Sequence, residues 1–246
     1  MEVHHHPDLH HEKKAWKEYF LEFLMIFLAV TMGFFAETVR EGISDRSKGH
    51  EYIRSFVEDL SHDTASFSYL IRFDEKKVAV LNSMTPCFDT IENGHGSFGC
   101  LVPLIKIASF NHNLSFTDGT MQQLKNAGGF RLLNNADKDS IVAYDHAVKA
   151  YQNFESTLFQ ERQDIVRSIY VKLLTYRSQA AMFPDSGKGE VKTPILFSTD
   201  KALLNEFFND LFIYRKVNKS QATMLKRLKD KATTLVKYFD KKYDLD

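Results

Sequence analysis

Five histidines lie within the first eleven residues, in the stretch HHHPDLHH and its neighbours. Neutral imidazole is a common ligand for zinc, copper and nickel. Pro7 disfavours a regular helix here, and nothing nearby completes a closed metal site. The pattern therefore favours a tail that binds metal only adventitiously, or the remnant of an expression tag, and we expect no cofactor. The candidate ligands are His4, His5, His6, His10 and His11.

The chain has two cysteines, Cys87 and Cys100, which bracket the turn-rich stretch CFDTIENGHGSFGC. This spacing allows a disulfide that would close a local loop. A periplasmic domain permits such a bond, whereas a cytoplasmic domain would keep two buried thiols. The pairing stays open at this point, because spacing does not give the geometry that a disulfide requires.

The sequence contains no H-E-x-x-H, C-x-x-C, P-loop or nucleophile-elbow motif. GHGSFG, residues 94–99, matches the dinucleotide pattern as text, but a helical pattern precedes it where a strand is required. Helical spacing places Glu58, Asp59 and Asp63 on a solvent-facing side, where acid–base catalysis is not expected. We therefore predict that the protein is not an enzyme.

Two carboxylates, Glu22 and Glu37, share one helical face with small residues in an apolar segment. Ala29 and Gly33 form a small-x-x-x-small pair that lets two helices approach closely, which predicts self-association. Several copies could surround a polar path for cations or protons. We favour the simpler interpretation that Glu22 reaches water near the interface and Glu37 lies outside the bilayer. The candidate oligomerisation or pore face is Glu22, Ile26, Ala29, Gly33 and Glu37.

The segment that positions this face, residues 16–41, has the composition of a transmembrane helix. Residues 23–36 are uninterrupted by polar side chains other than threonine, and about 20 residues cross a ~30 Å hydrocarbon core. A cleaved signal peptide is disfavoured because Phe34 and Phe35 stand where a cleavage site needs small residues. A buried helix of a soluble protein remains the other alternative. We predict an uncleaved anchor with Trp16 in the interfacial belt.

Residues 44–246 are predicted to be all-α, an antiparallel bundle of about four long helices. Apolar residues recur at helical spacing over residues 45–86 and again from Asn135 to about Phe183. Two further helices are predicted, one capped by Ser198 or Thr199 and the last one over residues 225–243. No stretch alternates convincingly as a strand; CLVPLIKIASF comes closest but contains a proline.

The stretch TMQQLKNAGGFRLLNNADKDSIVAYDHAVKAY resembles a region shared by uncharacterised inner-membrane proteins of Bacteroidota. Those proteins place one N-terminal span before a helical domain, so the resemblance implies a location and a fold but no activity. The matching residues are Thr120, Leu124, Lys125, Gly128, Leu132 and Tyr144. In this stretch the residues themselves predict a short helix from about Asp118 that stops at Gly128, a structural role rather than a ligand site.

Charge excludes some classes of partner and leaves the orientation weakly determined. The formal net charge is zero over 246 residues, which gives no reason to expect nucleic acid. Basic residues flank both ends of the span, but a short basic tail usually stays in the cytoplasm, so we expect the bundle in the periplasm. Residues 215–246 are rich in lysine, which suits either anionic lipid, an acidic partner or simply a solvated face.

Together these features predict a single-pass protein of the bacterial inner membrane that acts as a scaffold, sensor or adaptor. Its expected partners are the lipid bilayer, further copies of itself and, for a sensor, another membrane protein, because a short tail cannot carry a signal alone. The alternative is a homo-oligomeric ion channel or membrane effector in which Glu22 and Glu37 line a polar path.

Overall fold

The computed structural model of the chain describes residues 16–94, 97–112, 114–185, 187 and 191–245. α-Helices cover most of them, as the apolar periodicity predicts. A π-helical turn, Glu155–Phe159, joins two of the helices into one rod, and short 3-10 turns lie at Phe98–Cys100 and Gly129–Leu132. The helices are α1 (Trp16–Leu81), α2 (Met84–Glu92), α3 (Leu101–Ser109), α4 (Gly119–Asn126), α5 (Asn135–Phe154), α6 (Gln160–Leu173), α7 (Tyr176–Met182) and α8 (Lys201–Tyr243).

The predicted all-α class is confirmed. The described residues contain no β-strand, only an isolated antiparallel bridge between Leu174 and Leu196. CLVPLIKIASF is helical, with Pro103 in the first turn of α3, where a missing backbone N–H costs little. The chain divides into two compact units, one that includes residues 16–50 and one that comprises Glu51–Asp246. Helix α1 contributes residues to both units and is continuous through Gly42.

Two apolar clusters form the core of the second unit. We call the first cluster A and the second cluster B. Cluster A includes Ile53, Phe56, Leu60, Phe67, Ile141, Tyr144, Tyr151, Leu225 and Phe239. Cluster B includes Leu81, Cys87, Leu104, Phe159, Val166, Leu173, Leu204, Phe207 and Tyr214.

The cluster to which the first and last core residues of each long rod belong shows the direction in which the rod runs. The bundle part of α1 runs from cluster A at Ile53 to cluster B at Leu81, and the α5–α6 rod runs the same way. Helix α8 returns from Leu204 in cluster B to Phe239 in cluster A. The bundle thus has three long rods rather than four, and α8 is antiparallel to the other two.

A crossover of short elements connects the two parallel rods. Helices α2 and α3 add to cluster B, and the chain then travels back to α4, which adds Met121 and Leu124 to cluster A. A disulfide joins Cys87 in α2 to Cys100 just before α3, with 5.6 Å between their Cα atoms. The bond ties the two short helices together where each by itself is too short to be stable.

The C-terminal region is one helix of 43 residues where the sequence predicted two helices. The predicted break fell between Leu211 and Leu225, where Asn218 and Gln221 interrupt the apolar stripe. Both side chains are fully buried in the structure, so this polar stretch is part of α8 inside the bundle and does not form a turn.

Two helix ends also differ from their predicted positions. Helix α8 is capped by Asp200 instead of Ser198 or Thr199, because the Asp200 carboxylate accepts a hydrogen bond from the Ala202 N–H at 2.7 Å. The α5–α6 rod ends at Leu173 instead of near Phe183. Leu174 and Thr175 follow in an extended conformation. The N–H of Phe197, from the segment before α8, donates to the Leu173 carbonyl at 2.8 Å.

The short helix predicted in the TMQQLKNAGGF stretch is confirmed as α4. Asp118 stands at its N-cap, and Gly128 adopts φ +68°, the left-handed conformation expected after a helix end. Gly129 is needed for a close approach, because a Cβ there would lie 3.1 Å from the Cα of Leu124. Leu133 is buried and holds the turn in cluster A.

Candidate functional site

The face predicted for self-association lies on α1 in the first unit. Its five residues are all exposed, and a Cβ added to Gly33 would meet nothing within 4 Å. One 18-residue window of this helix has a mean hydropathy of 2.0 and none of its residues is buried. Such a helix is long and apolar enough to cross a membrane. The Thr31 and Thr38 hydroxyls donate to the carbonyls of Phe27 and Phe34, so the helix itself provides their acceptors.

Of the two carboxylates on that face, Glu37 is paired with a neighbouring arginine. Glu37 accepts a hydrogen bond from the Arg40 Nε at 2.9 Å and forms an ion pair with the same guanidinium. This pairing offsets the charge that a ring of Glu37 side chains would present to a passing cation. Glu22 lies about four helical turns earlier, on the same side of the helix.

The predicted histidine ligands, His4, His5, His6, His10 and His11, lie outside the described residues. Among the residues that the structure describes, no group of three or more His, Cys, Asp or Glu side chains is arranged to hold a metal ion. Most of GHGSFG is described, and it belongs to the loop and 3-10 turn before α3.

A layer of buried polar side chains separates cluster A from cluster B. It interrupts all three rods at the same level: α1 between Ile71 and Leu81, the α5–α6 rod at its π turn, and α8 between Val217 and Leu225. We call it the polar layer. Its members are Asp74, Lys77, His112, Tyr151, Glu155, Tyr214, Asn218 and Gln221.

Lys77 lies at the centre of this layer and is fully buried. Its ammonium donates to the Tyr214 hydroxyl at 2.9 Å. The rings of Phe73, Phe159 and Tyr214 surround it, with centroids 5.5, 5.1 and 5.3 Å from Nζ. Burial lowers the pKa of Lys77 to about 8, although Asp74 acts in the opposite direction. The charged form therefore depends on cation–π contacts as well as on its carboxylate neighbour.

Hydrogen bonds connect the carboxylates of the polar layer to the crossover and, through Tyr151, to α8. Asp74 Oδ1 lies 2.9 Å from Nε2 of His112, and the Glu155 carboxylate accepts from the Tyr151 hydroxyl at 3.2 Å. The Gln221 amide donates to the same Tyr151 oxygen at 3.2 Å. Burial raises the pKa of Glu155, and the hydrogen bond from Tyr151 only partly offsets this effect. Glu155 begins the π turn, a distortion that often marks functional positions in helices.

Four buried side-chain atoms of the layer have no hydrogen-bond partner among the described residues. They are Asp74 Oδ2, His112 Nδ1, Asn218 Oδ1 and Gln221 Oε1. The layer holds an ammonium, two carboxylates and an imidazole in one network. Because Asp74 and Lys77 are fully buried, a substrate could reach them only if the bundle opened.

The prediction that Glu58, Asp59 and Asp63 face solvent is wrong for Asp63, which is 2% exposed. Its carboxylate accepts from the Thr117 N–H at 3.0 Å and from the Tyr144 hydroxyl at 3.4 Å. Burial raises the pKa of Asp63, and these hydrogen bonds act against the rise. Asp63 anchors the crossover segment to α1, so its role is structural.

A second buried carboxylate, Asp137, fixes the end of α8. The Lys242 ammonium and the Tyr238 hydroxyl donate to its Oδ1 at 2.6 and 2.7 Å, and the Tyr243 hydroxyl donates to Oδ2. Burial alone would raise the pKa of Asp137, but these three donors outweigh it and lower the pKa. This cluster explains why α8 stays ordered to Tyr243.

Sequence reasoning missed the polar layer altogether. One signal for it was present: the apolar stripes of α1 and α8 each contain a polar gap of about two turns, at Asp74 with Lys77 and at Asn218 with Gln221. A polar gap in an apolar stripe can indicate either a turn that ends the helix or a layer of buried polar side chains. Only the packing of α1 against α8 shows that the two gaps lie next to each other in the bundle.

Comparison of the chain with protein-family models, with curated proteins and with solved structures finds no match. The resemblance to Bacteroidota inner-membrane proteins therefore stays a prediction.

Proposed function

We propose that this protein is a single-pass membrane-anchored helical adaptor or sensor of the bacterial envelope. The observation that carries the proposal is the apolar part of α1. Its large side chains are exposed along the whole segment, for example Phe23 at 62% and Phe34 at 72%. Apolar surface of this extent is unfavourable in water, and a lipid bilayer is the environment that suits it. A core helix of a soluble protein would instead be covered by its neighbours.

The disulfide supports a position outside the cytoplasm for the second unit. Cys87 and Cys100 are paired, and such bonds persist in oxidising compartments but are rare where thiol reductants are abundant. The proposed arrangement therefore has the N-terminal tail in the cytoplasm and Glu51–Asp246 in the periplasm.

The role of adaptor or sensor rests on the architecture of the second unit. Its buried ionisable groups sit between two apolar clusters, enclosed rather than displayed in an open cleft as catalysis requires. We therefore propose no enzymatic activity. The partners we propose are a second copy through the span and another membrane protein that carries the signal onward.

The test is a topology measurement on the full chain in bacterial cells. Cys87 and Cys100 are replaced by serine, and a reporter is introduced by Lys237→Cys at an exposed position of α8. Intact cells are treated with a thiol reagent that does not cross the inner membrane, and permeabilised cells serve as the control. In parallel, membranes are washed at alkaline pH, which releases peripheral proteins.

We expect full labelling in intact cells and retention in the washed membranes. The chain with both natural cysteines should be labelled only after reduction. Labelling of the reporter that requires permeabilisation would overturn the periplasmic placement. Release by the alkaline wash would overturn the membrane anchor itself.

A further inference from the structure

A groove of about 600 Å³ runs between α1 and α8 on the second unit. Its α1 wall is formed by Glu75, Val78, Ala79 and Asn82. Its α8 wall is formed by Arg215, Lys216, Lys219, Ala222, Thr223 and Lys226. The lining thus combines small or apolar residues with four cations of α8.

The positive charge of this groove is largely uncompensated. Lys226 pairs with Glu75 at 2.6 Å, which is the one acidic residue of the lining. Arg215 donates to a neutral acceptor, the Asn82 side-chain oxygen, at 3.1 Å. Lys216 lies 4.5 Å from the Phe212 ring. No acidic side chain of the described chain lies within ion-pair distance of Arg215, Lys216 or Lys219.

Such an arrangement costs free energy in the empty protein. Arg215 and Lys219 are four residues apart on one helix, and like charges at this spacing repel by a few tenths of a kcal/mol. A solvated helical face usually mixes acidic with basic residues, as α8 itself does at Asp230 and Lys231. In the groove, four cations of α8 instead line one concave surface that contains a single carboxylate, so its local charge is positive.

We propose that this groove binds a phosphate-bearing ligand with at least two negative charges. The Arg215 guanidinium presents a planar set of donors that matches phosphate oxygens, and the two lysines add point charges. The amide NH₂ of Asn82, whose oxygen Arg215 occupies, is a further donor at the α1 wall. The volume suits a small molecule or a headgroup rather than a macromolecular chain. The site does not depend on the membrane anchor and goes beyond the function proposed above.

The proposal is tested with the full chain in micelles of an uncharged detergent, by calorimetric titration with pyrophosphate. The groove variant is Lys216→Gln with Lys219→Gln. The matched control is Lys237→Gln with Lys241→Gln, which removes the same charge from exposed positions of the same helix. Citrate tests whether phosphate is preferred over carboxylate. A short-chain phosphatidic acid tests a lipid headgroup as the source of the phosphate.

We expect pyrophosphate to bind at low salt, at least tenfold more weakly to the groove variant and equally to the control. Binding of phosphatidic acid with the same dependence on Lys216 and Lys219, but no binding of pyrophosphate, would assign the site to a lipid headgroup. The proposal is overturned if neither phosphate binds, if both variants lose affinity equally, or if citrate binds as tightly as pyrophosphate. Helical circular dichroism of each variant verifies that it is folded.

Discussion

At the scale of single residues, four ionisable side chains are buried, and for one of them, Asp63, the sequence had predicted exposure to solvent. Asp63, Asp74, Lys77 and Asp137 are each at most 2% exposed. Each has partners on other helices or on the crossover, which offset the cost of removing it from water. These residues connect rods to one another or to the crossover, and the shifted pKa values of Asp63, Lys77 and Asp137 make the stability of the bundle depend on pH.

Lys77 predicts an unusual pH dependence of stability. Its pKa is about 8 in the folded protein and about 10.4 in an unfolded chain. Between these values the unfolded state binds a proton that the folded state has released, so the free energy of unfolding rises with pH. From pH 8 to 10 we expect a gain on the order of 2 kcal/mol, measured by urea unfolding with far-ultraviolet circular dichroism.

The control for this effect is Lys77→Met, which keeps the length of the side chain and removes its charge. The rise between pH 8 and 10 should disappear in this variant. Burial also raises the pKa of Tyr144, Tyr151 and Tyr214, so their ionisation in the unfolded state begins to lower the free energy of unfolding as the pH approaches 10. Lys77→Met retains these tyrosines, so the difference between the two profiles isolates the contribution of Lys77. The same slope in the natural protein and in Lys77→Met would contradict the assignment.

At the scale of elements, residues close in the sequence determine where the short helix α4 ends, whereas tertiary contacts determine that the long helix α8 is continuous. The α4 turn follows from its own residues, because Gly128 supplies the left-handed backbone that ends the helix. The continuity of α8 does not, because Asn218 and Gln221 interrupt its apolar stripe, and only the polar layer provides a buried environment for them. A helix can therefore cross a polar gap when its neighbours have polar gaps at the same level.

The glycine at the end of α4 gives a prediction at this scale. Gly128→Ala should lower the free energy of unfolding by about 1 kcal/mol, because a residue with a Cβ is strained at φ +68°. No atom lies within 4 Å of the added methyl group, so the loss would come from the backbone and not from a clash.

Gly119→Ala is the matched control for this substitution. Gly119 begins the same helix, is likewise free of close atoms and has no positive φ. Alanine there should be neutral or slightly stabilising. Equal losses for the two variants in urea unfolding would mean that the left-handed position carries no special cost.

At the scale of the whole molecule, the chain divides into two compact units, one that includes the exposed apolar part of α1 and one that holds the helical bundle. Ala29 and Gly33 are exposed on the first unit. In the membrane-spanning arrangement proposed above, these small residues would allow close contact between copies.

This face predicts self-association of the full chain. Gly33→Leu should reduce the dimeric fraction in detergent about fivefold, since close helix contacts of this type contribute on the order of 1 kcal/mol. Thr31→Leu is the control, because Thr31 lies on the opposite side of α1 and its hydroxyl bonds only within the helix. Chemical cross-linking at a series of protein concentrations measures both. Equal effects of the two substitutions would exclude this face.

The sequence by itself determined the all-α class, the position of the long apolar helical segment and the α4 turn. Each of these depends on local periodicity or on one backbone conformation, which neighbouring residues along the chain are enough to specify. Tertiary structure alone decided the number and direction of the rods and the burial of Asp63, Asp74 and Lys77. The physical reason is that a polar residue is stable inside a protein only when partners from distant positions meet it there. Lys77 and Tyr214 are 137 residues apart in the chain, and only the packing of α1 against α8 brings them to 2.9 Å.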